Sequence, residues 1–183
     1  MTAPPFVPFS KIARLNREVI LTEKIDGTNA SVHVLEDGTV LAGSRTRWIT
    51  PDDDNFGFAR WVKEHEDELR TGLGVGAHYG EWWGSGIQRG YGLTKGEKRF
   101  SLFNTGRWTD DVRPACCRVV PVLVAGVGVH RCVDFALATL RTKGSLAAPG
   151  FMRPEGLVVF HTAANQLFKV TLERDEEPKG QTA

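Results

Sequence analysis

Glu23-Lys24-Ile25-Asp26-Gly27-Thr28-Asn29 follows the apolar run Val19-Ile20-Leu21, and a strand-like pattern resumes from Asn29 to Val34. The stretch puts a lysine at a strand end, with a turn marked by Asp26-Gly27 directly after it. Such a lysine can project into a cleft, and Gly27 removes a side chain where a bulky ligand would approach. Partly desolvated and beside other cations, a lysine can lose its proton and attack an electrophile. A surface lysine before a hairpin turn has the same local spelling, so this stretch alone leaves both readings open.

Working outward, residues 18–45 read as three strands. The last two, Ser31 to Leu35 and Val40 to Ser44, flank a turn at Glu36-Asp37-Gly38. On the N-terminal side lie an extended lead-in and a short helix or turn, Ser10 to Leu15. On the other side a polar loop, 46–54, leads into one helix. Asp52, Asp53 and Asp54 suit its positive N-terminal end, and Gly72 is its expected stop. Then come a strand from Ala77 to Trp83, a glycine-dense loop from Gly84 to Gly96, a short strand from Phe100 to Phe103 and a buried strand from Val119 to Val124. Val133, Leu137 and Leu140 repeat at helical spacing, with Gly144 beyond. Leu157 to Phe160 and Gln166 to Leu172 make a last hairpin. The pattern predicts an α+β domain of antiparallel sheets with flanking helices over 1–173, and a polar, disordered tail over 174–183.

A chain of 183 residues with 41% hydrophobic content fits one domain with a buried core. Its net charge of +1 gives no field that by itself argues for a nucleic-acid partner. The longest apolar run, Val119 to Val129, is too short to span a bilayer and contains a proline and two glycines, so no membrane association is expected. Three cysteines, two of them adjacent at Cys116-Cys117, make no disulfide framework, which predicts a reduced, cytoplasmic protein. His130-x-Cys132 has no Cys-x-x-Cys partner pair to complete a zinc site.

Charged residues recur at strand ends: Lys24, Arg45 after Ser44, Glu81 ahead of the glycine-dense loop, Glu155 before the next-to-last strand and Lys169 in the last. Two carboxylates and three cations in similar local settings suit a nucleoside triphosphate, which needs cations at its phosphates, a carboxylate-held metal and a flat surface for its base. Phe103, Trp48, Trp82 and Trp83 are the candidates for that surface.

These residues carry a family resemblance. Glu23 to Asn29 resembles motif I, K-x-D-G, of the covalent nucleotidyltransferases, in the form found in phage T4 RNA ligase 2-like enzymes. Ser44-Arg45, Gly80-Glu81-Trp82, Arg99-Phe100-Ser101-Leu102-Phe103-Asn104, Pro154-Glu155-Gly156-Leu157-Val158-Val159 and Leu167-Phe168-Lys169-Val170 resemble the later motifs, in order, and Gly86-Ile87-Gln88 is typical of the same branch. The resemblance implies a nucleotidyltransferase (ligase adenylation, ATP-grasp-like) domain acting with ATP and Mg2+ or Mn2+ on nucleic acid, RNA ahead of DNA. It implies roles too. Lys24 is the nucleophile that takes AMP, and Glu155 helps place the metal. Glu23, Asn29, Arg45, Glu81, Phe103 and Lys169 bind the nucleotide: Arg45 and Lys169 at phosphates, Glu81 at the ribose, Phe103 on adenine. Asn104 stands where the family usually has aspartate, and Thr171 where it has a second lysine. Ligases of this kind also carry a C-terminal domain that grips nucleic acid, so a partner protein is expected in its place. The alternatives are an adenylyltransferase with another acceptor, a DNA nick or a protein, and a non-catalytic nucleotide- or RNA-binding domain.

Overall fold

Val19, Leu21 and Glu23 alternate with Ile20, Thr22 and Lys24, so the first strand presents two chemically different faces. In the computed structural model, which describes residues 3–173 and 175–176, this strand is β1 (Glu18–Lys24). It lies inside a four-stranded antiparallel sheet, between β8 (Val122–Val127) and β9 (Gly156–His161), with β10 (Gln166–Thr171) beyond β9. Val19 and Leu21 pack with Leu157 and Val159 against Cys132, Ala136 and Leu140 of a helix, α3 (Val129–Lys143). The helix closes one face of this sheet, and Thr22 and Lys24 stand on the other.

The second sheet runs in the order β4 (Trp48–Ile49), β3 (Val40–Ser44), β2 (Thr28–Val34), β5 (Gly76–Gly84), β6 (Lys98–Leu102), β7 (Cys117–Val119). Its pairs are antiparallel except β6 with β7. Ala30, Val32, Val34, Trp82, Phe100 and Leu102 cover one face with Phe58 and Val62 of α1 (Phe58–Glu64) and Leu69 and Leu73 of α2 (Glu66–Leu73). A smaller cluster, Ile25, Trp83, Tyr91, Val120 and Ala148, joins the two sheets.

β1 and β2 do not pair. The Asp26-Gly27 turn carries the chain from one sheet to the other, so it is not a hairpin. Gly27 is needed there by backbone rather than by a ligand: a Cβ would lie 2.4 Å from the Trp82 carbonyl oxygen and 2.7 Å from the Trp83 Cβ.

Several expectations are corrected. Ser10 to Leu15 forms no helix; the bend is at 15–17. The single helix is two, broken at His65, whose N–H and Nδ1 both meet the Trp61 carbonyl oxygen, at 3.1 and 2.9 Å. Gly72 lies within α2, where a Cβ would meet Pro114 at 2.8 Å, and the stop is Gly74, with φ at 70°. Pro121 divides Val119 to Val124 between β7 and β8, edge strands of different sheets, and β8 is half-exposed rather than buried. Asp54 does serve the helix start, accepting the N–H groups of Ala59 and Arg60 at 2.8 and 3.1 Å. The expected tail over 174–183 lies, apart from 175 and 176, outside the described residues. Among the described residues no helix is long and apolar enough to cross a membrane.

Candidate active site

Lys24 is the last residue of β1, in register with Gly156 of β9, which is in register with Thr171 of β10. Glu155, immediately before β9, is buried and brings its Oε2 to 2.5 Å from the Lys24 Nζ. The lysine side chain keeps 21% of its surface exposed and the glutamate 6%, so the pair stands at the floor of an open cleft.

The second sheet supplies the opposite wall. Asn29 on β2 and Glu81 on β5 are in register. Glu81 accepts the Gly27 N–H on Oε1 at 3.1 Å and the Asn29 Nδ2–H on Oε2 at 2.9 Å. Burial pushes the Glu81 carboxyl up to about 7, against the Lys24 charge and the Gly27 and Asn29 donors, with Glu155 adding to the rise. Arg45 lies just past β3, beside Asn29, because Ser44 pairs with Ala30. Lys169 is in register with Val158, which is in register with Thr22, two residues from Lys24 on the same face. Both cations are exposed, and among the described residues neither has an ion pair. Phe103 follows β6, two residues from Ser101, the register partner of Glu81, and is 41% exposed. Beside Ser101 is a cavity of about 450 Å³ lined in part by Trp83, Arg99, Trp108, Arg118 and Val122. Lys24 and Glu155 do not line it.

Glu23 departs from its expected place. Strand alternation turns its side chain away from Lys24, onto the α3 side, where its Oε2 accepts the N–H groups of Leu146 and Ala147 at 2.8 and 3.0 Å. Burial raises its acid against the Ser145 hydroxyl and those amides. Its carboxylate is a brace for the 145–148 turn. Trp82 and Trp83 are core residues, 2% and 1% exposed, and leave the list of base-stacking surfaces. Asn104 Oδ1 accepts the Arg107 N–H at 3.1 Å, a local turn bond that needs no charge. Thr171 donates its N–H to Asp175 at 2.7 Å and its hydroxyl to the Glu173 carbonyl at 2.9 Å.

Two residues of the glycine-dense loop support the motif: Tyr91, which the sequence reading did not single out, and Arg89, which it offered as a spare phosphate contact. Tyr91, in the glycine-dense loop, accepts the Asp26 N–H at 3.0 Å and donates to the Lys24 carbonyl at 3.4 Å. Arg89 holds Asp26 through Nε at 3.1 Å and the Arg153 carbonyl through Nη1 at 3.1 Å. The loop thus clamps the backbone on either side of Ile25. The available signal was one large aromatic and one arginine inside a run that holds five glycines from Gly84 to Gly96.

The RNA ligase family model matches residues 17–171 of the chain. Among solved structures, a mutant of Naegleria gruberi RNA ligase with ATP and Mn is 19% identical, with a TM-score of 0.57, covering 89% of this chain and 52% of that one. Another mutant of that ligase, with AMP and Mn, is 18% identical, with a TM-score of 0.55 and coverage of 89% and 53%. A mutant of Naegleria gruberi RNA ligase R4a without ligand is 20% identical, with a TM-score of 0.56 and coverage of 85% and 50%. The chain thus spans about half the length of the solved ligases it matches. Among curated proteins, none matches it.

Proposed function

The chain belongs to the RNA ligase family, and from that premise we propose that it is an ATP-dependent RNA ligase nucleotidyltransferase working through a covalent lysyl-AMP. One observation carries the reading: Lys24 in contact with buried Glu155 at 2.5 Å, facing Glu81 across a cleft whose rim holds two cations, Arg45 and Lys169, that have no ion pair among the described residues. A structural salt bridge needs no such company.

The lysine must shed its proton before it attacks, and its contact with the Glu155 carboxylate holds the amine in place. The Lys24 nitrogen then bonds to the α-phosphorus of ATP, the bond from that phosphorus to the bridging oxygen breaks, and pyrophosphate leaves with the electron pair. An RNA 5′-phosphate oxygen next displaces the lysine, which regains a proton. A 3′-hydroxyl finally displaces AMP and closes the strand, a reaction suited to RNA repair. Arg45 and Lys169 face phosphate, Glu81 and Asn29 the ribose side, and Phe103 the base.

Among the described residues no three His, Cys, Asp or Glu side chains form a metal cage. The donor set fits Mg2+ or Mn2+ arriving with the nucleotide: Glu155 would hold it together with phosphate oxygens, and it would neutralise charge at the phosphates. Three free cysteines support a reducing, cytoplasmic setting.

The test is mass spectrometry after incubation with ATP and Mg2+ or Mn2+. An AMP adduct is expected on the Lys24 peptide, absent from Lys24→Ala and from folded Glu155→Ala. An adduct persisting in Lys24→Ala would refute the assignment.

A further inference from the structure

The cleft face of the second sheet carries more aromatic surface than one nucleotide base requires. Trp48 is in register with Gly43, Gly43 with Ser31 and Ser31 with Tyr79, and the Phe103 N–H bonds the Tyr79 carbonyl at 3.0 Å. Residues in register share a face. Trp48, Tyr79 and Phe103 therefore form one row, on the side that carries Asn29 and Glu81 and two residues along from them. His33 fills the middle, its ring edge-on to Trp48 at 4.7 Å and to Tyr79 at 5.9 Å. The Trp48 indole lies over β3 at Gly43, where a Cβ would be in ordinary contact with the ring at 3.6 Å and would crowd the Ser31 hydroxyl at 2.6 Å. Trp48 is 56% exposed and Tyr79 59%. Large aromatic rings aligned in the open on one sheet face mark a binding surface.

Charge and position point to its occupant. The row runs straight on from the nucleotide site. Arg45 stands at its border and Lys169 across the cleft, both without ion pairs among the described residues, while the nearby Asp53 is already engaged by Arg47. Open aromatic faces beside free cations suit single-stranded nucleic acid, whose bases stack while its phosphates follow the charge. In a duplex those base faces are already covered by neighbouring pairs.

We propose that Trp48 and Tyr79 form a stacking platform for unpaired bases next to the end being joined, so that the chain takes single-stranded RNA termini ahead of nicked duplex. The proposal rests on the RNA ligase reading above and deepens it by naming the form of the nucleic acid.

The test is equilibrium binding of a single-stranded RNA carrying 2-aminopurine near its 5′-phosphate, against a nicked duplex of the same sequence. Wild type, Trp48→Leu, Tyr79→Leu and Tyr79→Phe are compared, with circular dichroism confirming the fold. The single strand should quench on the wild type and bind more tightly than the duplex. Each leucine variant should weaken binding about tenfold, Tyr79→Phe should retain it, and Lys24 labelling should be unchanged in all three. Equal binding by wild type and leucine variants, preference for the duplex, or no RNA binding by the wild type, as when a protein covers this face, would each overturn the platform. Failure of the wild type to label Lys24 counts against the enzyme reading alone, and the quenching measurement still decides the platform.

Discussion

Glu81 holds two hydrogen bonds in the cleft wall, yet burial still lifts its acid to about 7. A carboxyl raised above its unfolded value of about 4.3 stabilises the fold fully below that value, and the contribution is lost as pH rises through 7. The span is worth roughly 4 kcal/mol. Melting temperatures of the nucleotide-free protein should therefore fall between pH 4.5 and 7.5, and Glu81→Gln should flatten that slope. Equal slopes in both proteins would place the titration elsewhere. Only the ionised form can accept a ribose hydroxyl without donating, so ATP affinity should rise across the same interval in the wild type and not in the variant. Phe103 is tested by stability as well as by binding. At 41% exposure it is no core residue, so Phe103→Ala should melt close to wild type while ATP binding weakens by about 1–3 kcal/mol. Normal ATP affinity in the folded variant would remove it from the site. That Lys24 lies near Glu155 and Asn29 near Glu81 was legible from motif spelling, with Lys24 ending β1, Glu155 just ahead of β9 and Glu81 inside β5. The Glu23 side chain lies apart from Lys24 because adjacent strand residues point to opposite faces, and the Arg89 contact with Asp26 and the place of Tyr91 were hidden because a loop has no period from which to read a distant contact.

The β1–β2 connection is the element on which the cleft depends, since it places Lys24 on one wall and Asn29 on the other. A methyl group at Gly27 would press on the Trp82 carbonyl and the Trp83 Cβ, both inside a central strand. Neither atom can swing away as a side-chain tip would. Gly27→Ala should cost about 1–3 kcal/mol of stability, and it should separate the walls, so labelling of Lys24 should fall even where the variant remains folded. A melting curve run beside the adenylylation assay checks both, and a stable variant that labels like wild type would show that the turn has room to relax. Most strands were readable from period-two alternation and the hairpin turns from their glycines. Sheet membership was not: β7 and β8 are neighbours in sequence but belong to different sheets, and a proline in an apolar run does not say on which side each half will pair. The His65 break was equally hidden, because the apolar spacing of α1 and α2 is continuous across it.

At the scale of the whole molecule, the question is how firmly this surface can hold a polynucleotide. The net charge is +1, and many of the arginines that border the cleft are already engaged: Arg47 with Asp53, Arg89 with Asp26, Arg99 with Glu97. Arg45 and Lys169 are the exposed cations of the candidate site that have no ion pair among the described residues. Two phosphate contacts to a single strand give a salt slope of about −1.4 in log K against log salt, or about a 7-fold loss from 50 to 200 mM. Stacking on Trp48 and Tyr79 adds affinity that salt hardly touches. Lysyl-AMP formation should therefore proceed readily, since it needs only the nucleotide pocket, while strand joining by this chain should be limited by RNA capture. Raising RNA concentration, not ATP, should speed joining in single-turnover reactions with pre-adenylylated protein, and the Arg45→Ala, Lys169→Ala double variant should bind RNA with a slope near zero. A wild-type slope of about −3 or steeper would mean that at least four phosphates are neutralised, and that the paired arginines release their carboxylates to grip the strand.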